Sequence, residues 1–285
     1  MNEESLMRSR IRKILMICSN YDAFALEEDG RIENQVKNEY RELNLSNPPK
    51  FIWANSSAQA RDIIGSEEDI DMIICMYNEQ DKEIFPFASR LKDEGRGIPF
   101  ILLIHYSKAV RQRVLESPHP GVDFVFSWHG NADLILAIVK LLEDAANAEN
   151  DVFEVGVKGI LLVEDSIRYY SNYLPELYKI VLTQSREFLT ESLNDDQKKY
   201  RKRSRPKIFL ATCLEEAIAY FEKYRRNLLG VISDVGMVFH KGDDPKTEKL
   251  DAGIDLVRII REYDPLMPVL LQSSQGSLAK TAAGL

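Results

Sequence analysis

Two short apolar runs that end in carboxylates decide the fold of this chain: Ile-Leu-Leu-Val-Glu-Asp-Ser at 160–166 and Gly-Val-Ile-Ser-Asp-Val at 230–235. Continuous runs of Val, Ile and Leu are typical of parallel strands that are buried on both faces of a sheet. In open α/β sheets, functional groups gather beyond the carboxyl ends of the strands. We therefore expect Glu164, Asp165 and Asp234 to converge at one edge of a sheet.

Three carboxylates in one place repel one another. At a separation of about 4 Å and an effective dielectric constant of about 20, each pair costs roughly 4 kcal/mol. A hard divalent cation such as Mg²⁺, which prefers oxygen ligands, offsets this repulsion. The alternative is that the acids cap the helices that follow, with Asp165 or Ser166 at the start of the next helix.

The pattern of the C-terminal half also occurs in the N-terminal half. Amphipathic helical stretches separate the runs, which predicts parallel sheets with right-handed crossovers. The predicted fold class is α/β, with two flavodoxin-like doubly wound domains in tandem, residues 1–150 and 151–285. The corresponding apolar runs are 13–19 and 159–166, 71–76 and 230–235, and 98–104 and 267–274.

The two halves differ in completeness. The first has a fifth strand at 122–128 and a closing helix at 131–144, whereas the second stops after its fourth strand. We expect the second domain to lack its last strand and helix. The chain is then either a fragment of a longer protein, or something else fills the gap. Its first helix is predicted to be long, from Ser166 through Gln197. The polar stretch 240–253 is predicted to be a mobile loop after the third strand, which either gates access to Asp234 or, the favoured interpretation, is simply solvated.

Composition excludes several classes of protein. A formal net charge of −8 over 285 residues argues against nucleic-acid binding, so the basic run 198–207 is interpreted as a solvated turn rather than a docking surface. No apolar stretch approaches the ~18 residues of a membrane-spanning helix, and no signal peptide precedes the first strand. Cys18, Cys75 and Cys213 show no metal-binding spacing. We expect a cytoplasmic protein.

These motifs resemble the receiver domain of two-component response regulators. The resemblance implies that Glu164 and Asp165 are the acidic pair that holds Mg²⁺, and that Asp234 is the phosphorylated aspartate and a further metal ligand. It also implies that the backbone carbonyl of Gly236 binds the metal, and that the hydroxyl of Ser273 binds the phosphoryl group.

The family's phosphate-pairing lysine belongs to a fifth strand, which the second half lacks; Lys280 lies in the preceding helix and is no substitute. The first half carries none of the side chains that bind the metal or the phosphoryl group in this family, which predicts a degenerate receiver, or pseudo-receiver. Its corresponding residues are Cys18 and Ser19 for the acidic pair, Met76 for the acceptor, Ile104 for the hydroxyl, and Ser127 or Trp128 for the lysine.

A second resemblance concerns the N-terminal regulatory region of bacterial phosphoenolpyruvate synthase-like proteins. It is carried by the segments 20–33, 163–175, 205–211 and 229–235. It implies that the output is an ATP- and pyruvate-binding catalytic part outside this chain, and that this chain is regulatory rather than an enzyme.

The function that these resemblances imply is a phosphorelay signalling module. Its partners would be a histidine kinase or phosphotransfer protein, the downstream catalytic domain and a second copy of the chain, with no nucleic acid and no membrane. The alternative is a receiver-fold scaffold that dimerises or docks a catalytic region without being phosphorylated.

Overall fold

The computed structural model describes residues 6–19, 32–42, 45, 47–66, 69–105, 107, 110, 114, 119–190, 204–244 and 247–273, without the side chains of 188–190. The strands are β1 (Lys13–Ile17), β2 (Lys50–Ala54), β3 (Met72–Met76), β4 (Phe100–His105), β5 (Phe124–Trp128), β6 (Gly159–Val163), β7 (Lys207–Ala211), β8 (Leu228–Asp234) and β9 (Val269–Gln272). The helices are α1 (Ile32–Glu42), α2 (Ser57–Ser66), α3 (Ile84–Asp93), α4 (Ala132–Glu149), a π-helix (Asn150–Glu154), α5 (Ile167–Thr190), α6 (Leu214–Tyr224) and α7 (Ala252–Tyr263).

The chain forms two compact units. Residues Arg10–Val139 make up the N-terminal unit, and the C-terminal unit joins the residues up to Ser9 to those from Lys140 onward. The division falls inside α4, whereas the sequence places the domain boundary at 150/151. That boundary remains a prediction. The residues on both sides of 150/151 belong to the C-terminal unit.

The N-terminal unit contains a five-stranded parallel sheet with the order β2-β1-β3-β4-β5. This is the strand order of flavodoxin-like doubly wound sheets, in which the strand order reverses between β1 and β3 while all strands remain parallel. All residues of β3, and those of β4 up to Ile104, are buried, as expected for central strands covered on both faces. The predicted helix near 107–117 lies almost entirely outside the described residues.

The C-terminal unit contains a four-stranded parallel sheet with the order β7-β6-β8-β9. Its core is formed by apolar residues of β6, β7 and β8 that pack against α6 and α7. The α/β class with parallel sheets is therefore as predicted. Helix α5 begins at Ile167 and includes Pro175; the predicted extension beyond Thr190 lies outside the described residues, as do most of 20–33, most of 198–207, and Lys280.

A buried ion network occupies the amino edge of this sheet, where β7 begins. The guanidinium of Arg205 binds both carboxylate oxygens of Asp144 at 2.8 and 2.9 Å, and the hydroxyl of Tyr178 donates to the same carboxylate at 2.9 Å. The ammonium of Lys207 lies 2.7 Å from Asp151 and 3.5 Å from Asp144. Two cations face two anions, so the network is electrically balanced, as buried charges must be.

The start of the chain is part of this unit. The amide of Ser9 donates to the side chain of Asn147 at 2.9 Å, and Asn147 donates back to the carbonyl of Ser9 at 2.7 Å. The amide of Met7 donates to Asp151 at 3.3 Å. No sequence pattern indicated this pairing, because it joins residues that lie far apart in the chain. Among helices in the described ranges, none is long and apolar enough to cross a membrane.

Candidate functional site

The structure brings together the three carboxylates that the sequence predicted to converge. Glu164 and Asp165 directly follow β6, and Asp234 ends the neighbouring strand β8, whose Ser233 pairs with Val163. Ligand oxygens of the three side chains all lie within 4.8 Å of one another. Parallel pairing of two adjacent strands that end at the same level is the cause of this convergence.

Each carboxylate accepts a backbone N–H. Ser166 donates to Glu164 at 3.1 Å, Val235 donates to Asp234 at 2.7 Å, and Val238 donates to Asp165 at 3.2 Å. The donors to the two aspartates belong to the loop after β8 and not to α5. The helix-capping alternative therefore does not account for the orientation of these two side chains.

Burial and mutual repulsion make full ionisation of this pocket unfavourable. Glu164 is only 2% exposed. Burial first, and then the charge of Asp234, raise the pKa of Glu164 to about 8. Burial likewise raises the pKa of Asp165 to about 6, and it raises the pKa of Asp234 against the lowering effect of the N–H groups of Val235 and Gly236.

The causes of these pKa shifts are burial, neighbouring carboxylates and backbone N–H groups, and no basic side chain of the described residues is among them. Three carboxylates with closely spaced oxygens are the ligand type that hard divalent cations bind. The donor set thus fits Mg²⁺ chemically.

A fourth carboxylate, which the sequence analysis missed, belongs to Glu248. A Cβ placed on Gly236 would lie 2.2 Å from its Oε1 atom, so Glu248 occupies the space that the glycine leaves open. The charge of Glu248 contributes to the raised pKa of Asp165. Its position in an acidic polar loop was the only signal in the sequence, and that signal does not distinguish it from its neighbours.

Two further residues lie near the same edge of the sheet: Ser273, which the sequence predicted, and Tyr173, which it did not. Ser273 is exposed and follows Gln272, the register partner of Asp234 across β8 and β9. Its assignment to phosphoryl binding stays a prediction. Tyr173 of α5 was not predicted; burial first, and then the charge of Glu164, raise its pKa.

The N-terminal unit has a different chemistry at the equivalent positions. Ile17 pairs with Cys75 as Val163 pairs with Ser233, so Cys18 and Met76 stand where Glu164 and Asp234 stand. In the part of the chain that the structure describes, Glu164, Asp165 and Asp234 form the only group of three or more His, Cys, Asp or Glu side chains that could hold a metal. Thiol, thioether and alkyl groups do not bind Mg²⁺.

Comparison with known proteins adds little. No protein-family model matches the chain, and no curated protein matches it either. One solved structure, the glucose-galactose binding protein GanP from Geobacillus stearothermophilus, aligns over 93% of this chain and 78% of its own, at 14% identity and a TM-score of 0.25. A similarity this low supports no conclusion about fold or function.

Proposed function

We propose that the C-terminal unit is a receiver-type phosphoryl-acceptor module of a two-component phosphorelay, with Asp234 as the acceptor. The observation that carries the proposal is the convergence of Glu164, Asp165 and Asp234, whose pKa values are raised by burial and not lowered by any basic side chain of the described residues. Structural acids are normally paired when they are buried, as in the ion network at the other edge of this sheet.

The residues have distinct tasks in this proposal. The carboxylates of Glu164, Asp165 and Asp234 and the carbonyl of Gly236 hold Mg²⁺, which supplies the positive charge that phosphoryl transfer needs. One oxygen of Asp234, oriented by the N–H of Val235, attacks the phosphorus of a phosphohistidine or an acyl phosphate. The P–N or P–O bond to the donor breaks, and the donor leaves with its electron pair.

After transfer, the aspartyl phosphate adds about −1.5 to −2 charges at the edge of the sheet. The hydroxyl of Ser273 donates a hydrogen bond to it, which moves the segment that follows β9. The direct partner is a histidine kinase or phosphotransfer protein. The output is a catalytic domain outside this chain, of the phosphoenolpyruvate synthase-like kind, and the setting is the cytoplasm. The chain itself acts as a regulatory module.

The second candidate, a scaffold that works without phosphorylation, is favoured by the N-terminal unit. The same sheet order there carries buried Cys18, Met76 and Ile104 at the equivalent positions. This unit is proposed to be a pseudo-receiver that serves packing, dimerisation or docking of a partner.

Incubation with acetyl phosphate and Mg²⁺, followed by intact mass measurement, separates the two candidates. A receiver gains about 80 Da as one phosphoryl group. The gain should depend on Mg²⁺ and disappear in Asp234→Asn, while the matched control Asp93→Asn, an exposed aspartate of the N-terminal unit, keeps it. A wild-type chain that gains no mass and binds neither Mg²⁺ nor beryllofluoride would exclude the acceptor function.

A further inference from the structure

We propose that the loop after β8 transmits occupancy of the carboxylate pocket to the N-terminus of α6. This loop, here called the acceptor loop, comprises residues 235–244 and 247–251. The inference rests on the proposed function, since it assumes that the pocket binds a cation. It identifies a second route of signal transmission, separate from Ser273 and β9.

The acceptor loop is exposed over most of its described residues from 240 to 251, as a solvated loop should be, but it is anchored at its base. Met237 and Lys249 form an antiparallel bridge with two backbone hydrogen bonds of 3.2 and 3.0 Å. The amide of Gly253, at the start of α7, donates to the carbonyl of Val235 at 2.8 Å. A Cβ on Gly253 would lie 2.2 Å from the carbonyl oxygen of Asp234, so only glycine permits this approach. The end of β8 and the ends of the loop therefore move together.

The acceptor loop also supplies the cap of α6. The first N–H groups of a helix have no partner inside the helix and are usually satisfied by a polar side chain at the N-cap. Here the N-cap residue Cys213 makes no such bond. Instead, the amide of Leu214 donates to the carbonyl of Val238, and the amide of Glu215 donates to the carbonyl of Phe239, both at 3.1 Å.

A side-chain contact reinforces this cap at the surface. The Nδ1 atom of His240 lies 3.0 Å from a carboxylate oxygen of Glu215. Both side chains are exposed, so this contact is weak by itself. The backbone hydrogen bonds of Val238 and Phe239 remain the main link between the loop and the helix.

One residue joins the pocket to this cap. The amide of Val238 donates to the carboxylate of Asp165, while the carbonyl of the same residue accepts from Leu214. The bond to Asp165 is 3.2 Å long, at the weak end of the range for N–H···O bonds. A cation in the pocket attracts the Asp165 carboxylate toward Glu164 and Asp234. This attraction weakens the hold of Asp165 on Val238, and the cap of α6 loosens with it.

Residue-resolved amide hydrogen exchange on the full chain tests the link, first without any cation. In Asp165→Ala, Val238 loses its acceptor, and the amides of Val238, Leu214 and Glu215 should exchange roughly five- to tenfold faster. Asp165→Asn keeps an acceptor oxygen and should exchange like the wild type. Glu222→Ala, which removes an exposed acid from the other end of α6, is the matched control and should change nothing at these amides.

Addition of Mg²⁺ is the second arm of the experiment. The same three amides should exchange faster in the wild type and stay unchanged in Asp165→Asn, which lacks one charged ligand. If calorimetry shows Mg²⁺ binding but these amides keep their rates, or if Asp165→Ala exchanges like the wild type, the transmission route is wrong. If calorimetry shows no Mg²⁺ binding at all, the proposed function itself fails, and the first arm still reports on the contact.

Discussion

The carboxyl edges of the two sheets have matching backbones and opposite chemistry. Met76 pairs with Leu103 in the N-terminal unit as Asp234 pairs with Gln272 in the C-terminal unit. The side chains of Met76 and Cys18 are buried and apolar, whereas the C-terminal edge carries carboxylates. A doubly wound sheet therefore folds with either set, which means that the acids of the C-terminal unit are not required by its architecture.

The amino edges of the two sheets differ in whether the lysine that begins the second strand is exposed or buried. Lys50 pairs with Lys13 at the start of β2, and Lys207 pairs with Gly159 at the start of β7. Lys50 is exposed, while Lys207 is fully buried between Asp144 and Asp151. Buried charge at this edge is balanced by buried charge of opposite sign. At the carboxyl edge of the same sheet, burial raises the pKa values of the three acids and no basic side chain of the described residues lowers them, a difference that distinguishes a candidate functional site from a structural network.

The largest expected effect comes from Lys207. Replacing it in Lys207→Met leaves the buried carboxylate of Asp151 without its cation, and should reduce the free energy of unfolding of the C-terminal unit by about 3–5 kcal/mol. The matched control is the exposed Lys50→Met, for which we expect a change within about 0.5 kcal/mol. Urea unfolding followed by far-UV circular dichroism measures both. Equal effects of the two substitutions would contradict the structural role of the network.

The tryptophans add an internal check to that experiment. Both tryptophans of the chain, Trp53 and Trp128, lie in the N-terminal unit. Their fluorescence should therefore report a normal unfolding midpoint for this unit in Lys207→Met.

A carboxylate at Met76, the counterpart of Asp234 in the N-terminal unit, should destabilise that unit. Met76 is 3% exposed, so Met76→Asp buries an acid without a cation and should destabilise the N-terminal unit by about 3 kcal/mol. Met76→Leu, which preserves volume and polarity, should cost less than about 1.5 kcal/mol. Tryptophan fluorescence during urea unfolding gives both values. A tolerated aspartate would show that this edge, too, is suited to charge.

The next effect, which is smaller for each pH unit, is the dependence of stability on pH. The pKa of Glu164 is about 8 in the folded chain and 4.5 for the ordinary group, so the folded state retains a proton that the unfolded state releases. The resulting stabilisation is complete below pH 4.5 and is lost as the pH rises through 8. Without divalent cations, the contribution of Glu164 to the unfolding free energy of the C-terminal unit should fall across this window by at most about 1.4 kcal/mol per pH unit.

Glu164→Gln removes this titration and should reduce the slope, to which the raised pKa values of Asp165 and Asp234 still contribute. Urea midpoints at several pH values, in the presence of a chelator, measure the slope for both chains. Glu222→Gln, which neutralises an exposed acid of the same unit, should leave the wild-type slope in place. A wild-type profile that rises with pH across the window would contradict the raised pKa.

The smallest effect is expected at Ser273. This side chain is exposed, so Ser273→Ala should change stability by no more than about 0.5 kcal/mol, although it should impair phosphoryl binding. Its register equivalent Ile104 is 2% exposed, and Ile104→Val should cost about 1 kcal/mol. Thermal unfolding compares the two. A large loss of stability in Ser273→Ala would indicate a structural role instead.

The sequence alone determined the architecture and most of the acidic pocket. Apolar runs of five to seven residues specified parallel strands, and carboxylates at their ends specified which residues would meet, because parallel strands of similar length end at the same edge. The internal repeat predicted, position by position, that Cys18 and Met76 would replace Glu164 and Asp234.

Only the tertiary structure decided which further side chains approach the acidic pocket and which charges pair with the buried lysine. Glu248 reaches Gly236 through the bridge between Met237 and Lys249, and Lys207 reaches Asp144 and Asp151 across more than fifty residues of chain. Strand periodicity constrains neighbours within a sheet, but it contains no information about how a polar loop folds back or which distant charges pair. Burial of charge is a property of the packed chain, so a buried lysine and an exposed one look alike in the sequence.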